Sequence, residues 1–311
     1  MDHYSNEFDV AKTIRTTDPL AVKAEVDRIF LELYPDARID VLNKAFHDAT
    51  TMYSGAFPGF HACDTAYHDI QHVLEVTLAM ARLIDGYERS RVGVEPINEQ
   101  LFRVGVITAL FHDIGYLRRL NDEKPVANGA EYTMIHVSRG SQFLREYMPR
   151  IGMTDMADIA ASLIHFTGYE RPVNAIQVPS LVHRLLGNLL GSADIIAQMA
   201  DRCYLEKCRD RLYPEFVAGG IATRNLPNGE KQIIYASGED LVRKTPGFYA
   251  GATRRLEGDL QSGHAYAESH FQGQNLYLEE LNKNIKFAGE IATEPDMSSG
   301  LRRQPPDTLK S

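Results

Sequence analysis

From Asp18 to Pro35 the sequence DPLAVKAEVDRIFLELYP sets apolar side chains three and four residues apart behind an Asp-Pro start, a pattern that predicts a helix. The same period returns over about 67–84, 97–116, 129–149, 154–166 and 179–213. Within 97–116, Leu101, Val104, Ile107, Thr108 and Phe111 form one apolar stripe. Residues 219–246 break the rhythm with glycines, prolines and a short β-like piece, KQIIYA, which predicts a hairpin or an ordered loop. A last amphipathic helix over about 264–291 is interrupted near Gly273. Alternating strands are missing, so the expected fold class is all-α, a helical bundle with additional C-terminal helices. Residues 18–294 read as a single domain, with residues 1–17 as a flexible arm and 295–311, rich in Pro, Ser, Arg and Lys, as a disordered tail.

The 311 residues are 44% apolar and 24% charged, ordinary for a globular chain with a sizeable core. A formal net charge of −9 and the lack of a long Lys/Arg run argue against a nucleic acid polymer or an anionic membrane as partner. They do not argue against a small phosphorylated substrate, because a bound metal inverts the local field. The opening MDHYSNEFDV is unlike a signal peptide, and no apolar run approaches the length of a membrane span. Cys63, Cys203 and Cys208 are too few for a disulfide framework. They read as reduced thiols of a cytoplasmic protein. A homodimer is left open.

Polar groups interrupt three apolar helices: His68 with His72, His112 with Asp113, and Ser192 to Asp194. Such groups against a core are costly unless something replaces their water. A divalent cation does so, and imidazole with carboxylate suits Zn, Fe or Mn. In Tyr67-His68-Asp69-Ile70-Gln71-His72 two histidines four apart share a helical face. Either both bind metal, or one binds metal and the other addresses the substrate. In Phe111-His112-Asp113-Ile114-Gly115-Tyr116 both polar side chains reach one ion if the helix ends there, and Gly115 permits the turn that follows. Phe46-His47-Asp48-Ala49 holds the same dipeptide without a preceding His-x-x-x-His, and is expected on the outer face of an early helix. His112 follows His72 by 40 residues, and His136, His165 and Asp194 then come at gaps of 24, 29 and 29. Each gap fits one helix plus a connection, so successive helices can each send a ligand to one point.

This order of His, His-Asp and distant Asp resembles the HD superfamily of metal-dependent phosphohydrolases over roughly residues 60–200, and Tyr67-His68-x-x-x-His72-x-x-Glu75-Val76 is similar to the opening signature of cyclic-nucleotide phosphodiesterases. His136 and His165 resemble the extra ligands of binuclear HD proteins, the HD-GYP phosphodiesterases and diiron HD oxygenases among them. The resemblance implies a first metal at His72, His112, Asp113 and Asp194, and a second at His136 and His165 bridged by Asp113. It also implies His68 as general acid. The cofactors would be two divalent ions, among Fe, Mn, Zn and Mg, and the substrate a small phosphoester, a nucleotide or cyclic phosphodiester foremost. This chain follows its His-Asp pair with Ile114-Gly115-Tyr116 in place of the phosphodiesterases' further histidine and proline. Only Gly168-Tyr169-Glu170-Arg171-Pro172 echoes the GYP loop.

Other candidates carry plainer readings. Arg118, Arg119, Lys124 and Arg139 read as a solvated face, His183 as a core or supporting histidine, and His3, His47, His61, His264 and His270 as surface or structural. Lys207 and Arg211 could approach the mouth of a pocket, and Tyr266, Phe271, Tyr277 and Phe287 read as packing. The expected function is metal-dependent phosphoester hydrolysis at a binuclear site. A diiron oxygenase and a non-catalytic nucleotide-sensing module are the alternatives.

Overall fold

A computed structural model describes residues 6–308 and shows an all-α chain. Its helices are α1 (Pro19–Leu33), α2 (Asp40–Tyr53), α3 (Ile70–Ser90), α4 (Glu99–Leu110), α5 (His136–Tyr147), α6 (Ala157–Leu163) and α7 (Leu181–Ala200). The short α8 (Tyr204–Lys207) and α9 (Tyr213–Ala218) come next, then a hairpin of β1 (Thr223–Asn225) and β2 (Lys231–Ile233). The chain closes with α10 (Gly238–Arg254), α11 (Ala267–His270) and α12 (Leu276–Thr293). Among the described residues no helix is long and apolar enough to cross a membrane.

At the centre lies α3, buried over nearly its whole surface from Gln71 to Tyr87 and packed by α7, α4 and α1. A helix covered on every side can be apolar all round, and VLEVTLAMARLI is close to that. Asp69 caps its start, accepting the His72 amide at 3.0 Å. His68 therefore precedes the helix, and the expectation that both histidines share a helical face does not hold. α4 ends at Leu110, which leaves His112 and Asp113 in the turn beyond it, followed by a 3-10 turn at Ile114–Tyr116.

The elements beyond α7 depart most from the sequence pattern. The helix expected over 179–213 ends at Ala200, and a π-helical turn occupies Cys208–Leu212. Residues 238–254, read as loop or hairpin up to 246, are helix α10, whose Ser237 cap accepts the Asp240 amide at 3.2 Å. A break near Gly273 is present, where φ of +106° suits glycine.

Both termini, read as flexible, are docked where they are described. Asp9 pairs with Arg82 in the core, and the Thr16 hydroxyl donates to Glu75 at 3.0 Å. Leu301 is buried, and Arg211 donates to the carbonyls of Pro305 and Pro306. Composition hid these contacts because backbone acceptors and single buried ion pairs leave no periodic trace. Residues 1–5, with His3 among them, and 309–311 lie outside the described residues.

Candidate metal centre

Helices α3, α5 and α7 and the turns after α4 and α6 carry the predicted side chains. His72 enters from the first turn of α3, His112 and Asp113 from beyond α4, and Asp194 from within α7. His72 Nε2 lies 3.3 Å from His112 Nε2 and 3.4 Å from Asp113 Oδ2, and His112 Nε2 lies 3.1 Å from that same oxygen. Asp194 Oδ1 stands 3.6 Å from His72 Nε2 and 3.8 Å from His112 Nε2.

These distances pose an electrostatic problem. His112 Nδ1 meets the Ala109 carbonyl at 2.7 Å, which fixes its proton there and leaves Nε2 as a lone pair in the neutral ring. Asp113 Oδ2 is buried and has no hydrogen-bond partner. Lone-pair atoms this close repel unless a cation or a proton lies among them. Burial disfavours a charged His112, yet the Asp113 carboxylate outweighs it and holds the pKa up at about 9. Asp113 is held well below the usual carboxylate range, since the His112 and His68 charges outweigh its own burial. His72, His112 and Asp113 could bind a metal ion: one ligand atom from each lies within 4.8 Å of the others. The orphaned oxygen and the carbonyl-anchored imidazole fit a divalent cation with nitrogen and oxygen donors.

The remaining predicted residues divide. His136, at the start of α5, brings Nε2 to 3.8 Å from the other Asp113 oxygen, and its Nδ1 meets the Thr133 carbonyl at 2.7 Å. Gly115 makes that approach feasible, because a Cβ there would stand 1.9 Å from the His136 carbonyl oxygen. Its role is close packing, not the positive φ of a tight turn. Arg139 clamps the same turn, donating to the carbonyls of Gly115 at 2.8 Å and Leu117 at 3.1 Å. It is structural rather than solvated. His165 is buried and its Nδ1 meets Glu170 Oε1 at 2.6 Å.

His68 stands across the site, 16% exposed, with Nδ1 2.5 Å from Glu215 Oε2. Its burial disfavours charge, but the Glu215 and Asp113 carboxylates outweigh that and raise its pKa. The Tyr116 ring is stacked between two imidazoles, at 4.3 Å from His68 and 4.4 Å from His136, each at 18°. Sequence reasoning missed Glu215 and Tyr116. Glu215 lies 147 residues from His68 on α9, and no spacing rule reaches so far. Tyr116 was visible as the departure from the phosphodiesterase pattern, the one signal that could have found it.

Several secondary candidates lie elsewhere. Lys207 is buried against Asp201 at 2.6 Å, and Arg211 faces Asp69, so neither lines the pocket mouth. His183 bonds the Ser180 hydroxyl at 2.9 Å on an exposed helix start. Arg118 pairs with Asp64 at 2.7 Å, and His270 with Asp85 at 2.6 Å. The three cysteines are free thiols.

The centre opens into a cavity of about 470 Å³ reached by His68, His72, Asp113, His136, Glu170 and Asp194. A family model described as Npun_R2479-like matches residues 41–288. No curated protein matches the sequence. Among solved structures, the phosphodiesterase domain of the RhoPDE fusion protein from the choanoflagellate Salpingoeca rosetta has a similar fold, with a TM-score of 0.51 and 15% identity. The alignment covers 94% of this chain and 96% of that one, and at this identity the likeness is one of fold.

Proposed function

We propose that this chain, which belongs to the Npun_R2479-like family, is a metal-dependent phosphoester hydrolase. The observation that carries the reading is the orphaned Asp113 carboxylate oxygen, faced by His72 and His112 on the floor of a cavity. Its phosphodiesterase-like fold and the ligand order His, His-Asp, Asp support the same reading. The substrate class is a small phosphoester, with nucleotides and cyclic phosphodiesters as the size range.

His72, His112, Asp113 and Asp194 would hold the first ion. Asp113 would also serve a second ion together with His136 and His165, with Glu170 orienting His165. Divalent ions there supply Lewis acidity, polarising the phosphoryl oxygens and making water acidic enough to attack near neutral pH.

The chain's own residues handle the proton. Glu215 fixes the His68 Nδ1–H, so Nε2 is the atom that faces the cavity and can carry a second proton. The Glu215 and Asp113 carboxylates raise its pKa and so favour the protonated ring. As the water oxygen bonds to phosphorus and the ester P–O bond breaks, His68 would pass this proton to the leaving oxygen. The proton released from water then restores His68 for the next turnover. Tyr116, stacked on His68, limits rotation of the ring and keeps bulk water from its face.

The test is to strip the protein with chelator, reload it with Mn, Fe, Zn or Mg, and assay phosphodiesters, phosphomonoesters and nucleotides. Metal-restored hydrolysis is expected, with metal content between one and two ions per chain. No hydrolysis with any ion would overturn the proposal, and turnover that requires iron and dioxygen would mark an oxygenase instead.

A further inference from the structure

Away from the metal centre the same cavity changes character. Its far wall comes from the segment after α7: Leu212 at the end of the π-helical turn, Phe216, Ile221, Tyr235, Leu241 and Phe248. Phe216 and Tyr235 pair at 5.6 Å and 36°, and Phe248 stacks on Tyr204 at 6.3 Å and 28°. Two polar groups near this wall are engaged with the protein itself. Gln198 Oε1 accepts from the Tyr67 hydroxyl at 3.1 Å, and the Thr245 hydroxyl donates to the Leu241 carbonyl at 3.1 Å. Among the described residues that line the cavity, Lys244 is the one lysine or arginine. It is held by Asp240 at 2.7 Å and by the Ile234 carbonyl at 2.6 Å.

We propose that this chamber receives an uncharged, largely apolar ester group, so that the substrate is a single-phosphoryl ester of an alkyl or aryl alcohol. The inference rests on the phosphoester reading and narrows it. A second phosphate in the chamber would meet apolar side chains and, as its one cation, a lysine already paired with Asp240. Buried phosphate without charge-assisted donors is strongly disfavoured. A nucleoside would bury sugar hydroxyls and base edges against a mainly apolar wall, each unmet group weakening binding by about fivefold or more. Apolar carbon gains from this wall instead, by about two- to fourfold in affinity per methylene removed from water. The cavity lies within the usual size of a small-molecule site, apolar with a few convergent polar groups at one end.

The experiment uses alkylphosphonates, whose P–C bond resists hydrolysis, titrated calorimetrically into the metal-reloaded full chain. Methyl-, butyl- and octylphosphonate are compared with butane-1,4-bisphosphonate and adenosine monophosphate. Affinity should rise about two- to fourfold per methylene from methyl to butyl, and the bisphosphonate should bind at least about tenfold more weakly than butylphosphonate. Phe248→Ser, at a half-exposed site that tolerates change, and Phe216→Ser should each flatten the chain-length series with metal content unchanged. A flat series in the wild type, or tighter binding of the bisphosphonate or the nucleotide, overturns the proposal. Parallel assays with the p-nitrophenyl esters of the same phosphonates separate the two readings. A steep series without any turnover retains the apolar chamber and removes hydrolysis, whereas turnover with a flat series removes the chamber and retains hydrolysis.

Discussion

The dipeptide His-Asp occurs at 47–48, 68–69 and 112–113, and the aspartates of the first and last pairs are both 3% exposed. Asp48 lies within α2, where its carboxylate takes a hydrogen bond from Lys44 at 2.8 Å and another from the Tyr147 hydroxyl at 2.9 Å. Its neighbour His47 points to solvent, because adjacent residues on a helix diverge by 100°. Asp113 lies just past the end of α4, where the chain leaves the helical path and both side chains of the pair turn inward. There the carboxylate faces two imidazoles and retains an oxygen without a partner. Equal burial thus hides different states: one carboxylate is met by a lysine and a tyrosine, the other keeps an oxygen without a partner beside two imidazoles. The outer-face expectation holds for His47 and fails for Asp48, whose partner Tyr147 is 99 residues away.

The largest expected effect comes from Asp113→Asn. On the proposed function, losing this ligand should lower kcat/KM at least about a thousandfold, matching the several kcal/mol that metal-assisted hydrolysis supplies. Metal content measured by atomic emission should fall with it. The chelated variant should melt lower than chelated wild type at neutral pH, because the carboxylate held ionised by the His112 and His68 charges is gone. A variant that keeps both its metal and its rate would end the contrast with Asp48.

The contrast also explains how far the sequence could be read. The convergence of His72, His112, Asp113 and Asp194 was legible because these polar residues recur at helix-plus-loop spacing, and a bundle brings such positions together at one end. The all-α class followed from the 3.6-residue period in the same way. What stayed hidden depends on pairs distant in sequence: Glu215 beneath His68, Tyr147 beneath Asp48, and Asp9 against Arg82. Helix α10 was missed because Gly238, Pro246, Gly247 and Gly251 give it the composition of a loop. Tertiary packing and the Ser237 cap override that propensity.

Glu215→Gln is next in size. The amide can still accept from His68 Nδ1, but the negative charge that raises the His68 pKa is gone. The rate on esters with poor leaving groups should drop about tenfold to a hundredfold, with little loss on p-nitrophenyl esters. The alkaline limb of the kcat/KM profile should move to lower pH, since a weaker base loses its proton earlier. An unmoved limb would remove His68 from the proton transfer. Asp48, far from that proton, has no counterpart to this shift.

A smaller effect separates the two aspartates by pH. In chelated protein the Asp113 carboxylate holds His112 protonated to about pH 9, against 6.5 for a free imidazole. A metal needs the neutral ring, so it competes with this proton. Apparent affinity should climb about tenfold per unit from pH 7 towards 9 and level off above it. The sign reverses for the metal-free fold. A raised folded pKa contributes stability that is complete below pH 6.5 and is lost as pH rises through 9, so the chelated protein should melt lower at pH 9 than at pH 6.5. Calorimetry at the two pH values, with and without metal, reads both trends. Parallel trends of the same sign would deny the competition.

Asp48→Asn should have the smallest effect on activity and so tests the other side of the comparison. Asparagine keeps the volume of the side chain, and its carbonyl can still accept from the Tyr147 hydroxyl. What disappears is the charge that answers Lys44 and strengthens the Tyr147 bond. The Lys44 side chain is 51% exposed, so water screens its share and most of the loss lies in the buried hydroxyl contact. A decrease of about 1–3 kcal/mol in unfolding free energy is therefore expected, measured by denaturant titration. Removing that charge leaves the metal centre with every ligand in place, because Asp48 touches none of them. Metal content and kcat per folded molecule should stay within about twofold of wild type, well under the tenfold that 1.4 kcal/mol would bring. If the variant instead lost metal while remaining folded, Asp48 would belong to the electrostatics of the site. Burial with protein partners would then no longer distinguish a structural His-Asp pair from a metal-binding one.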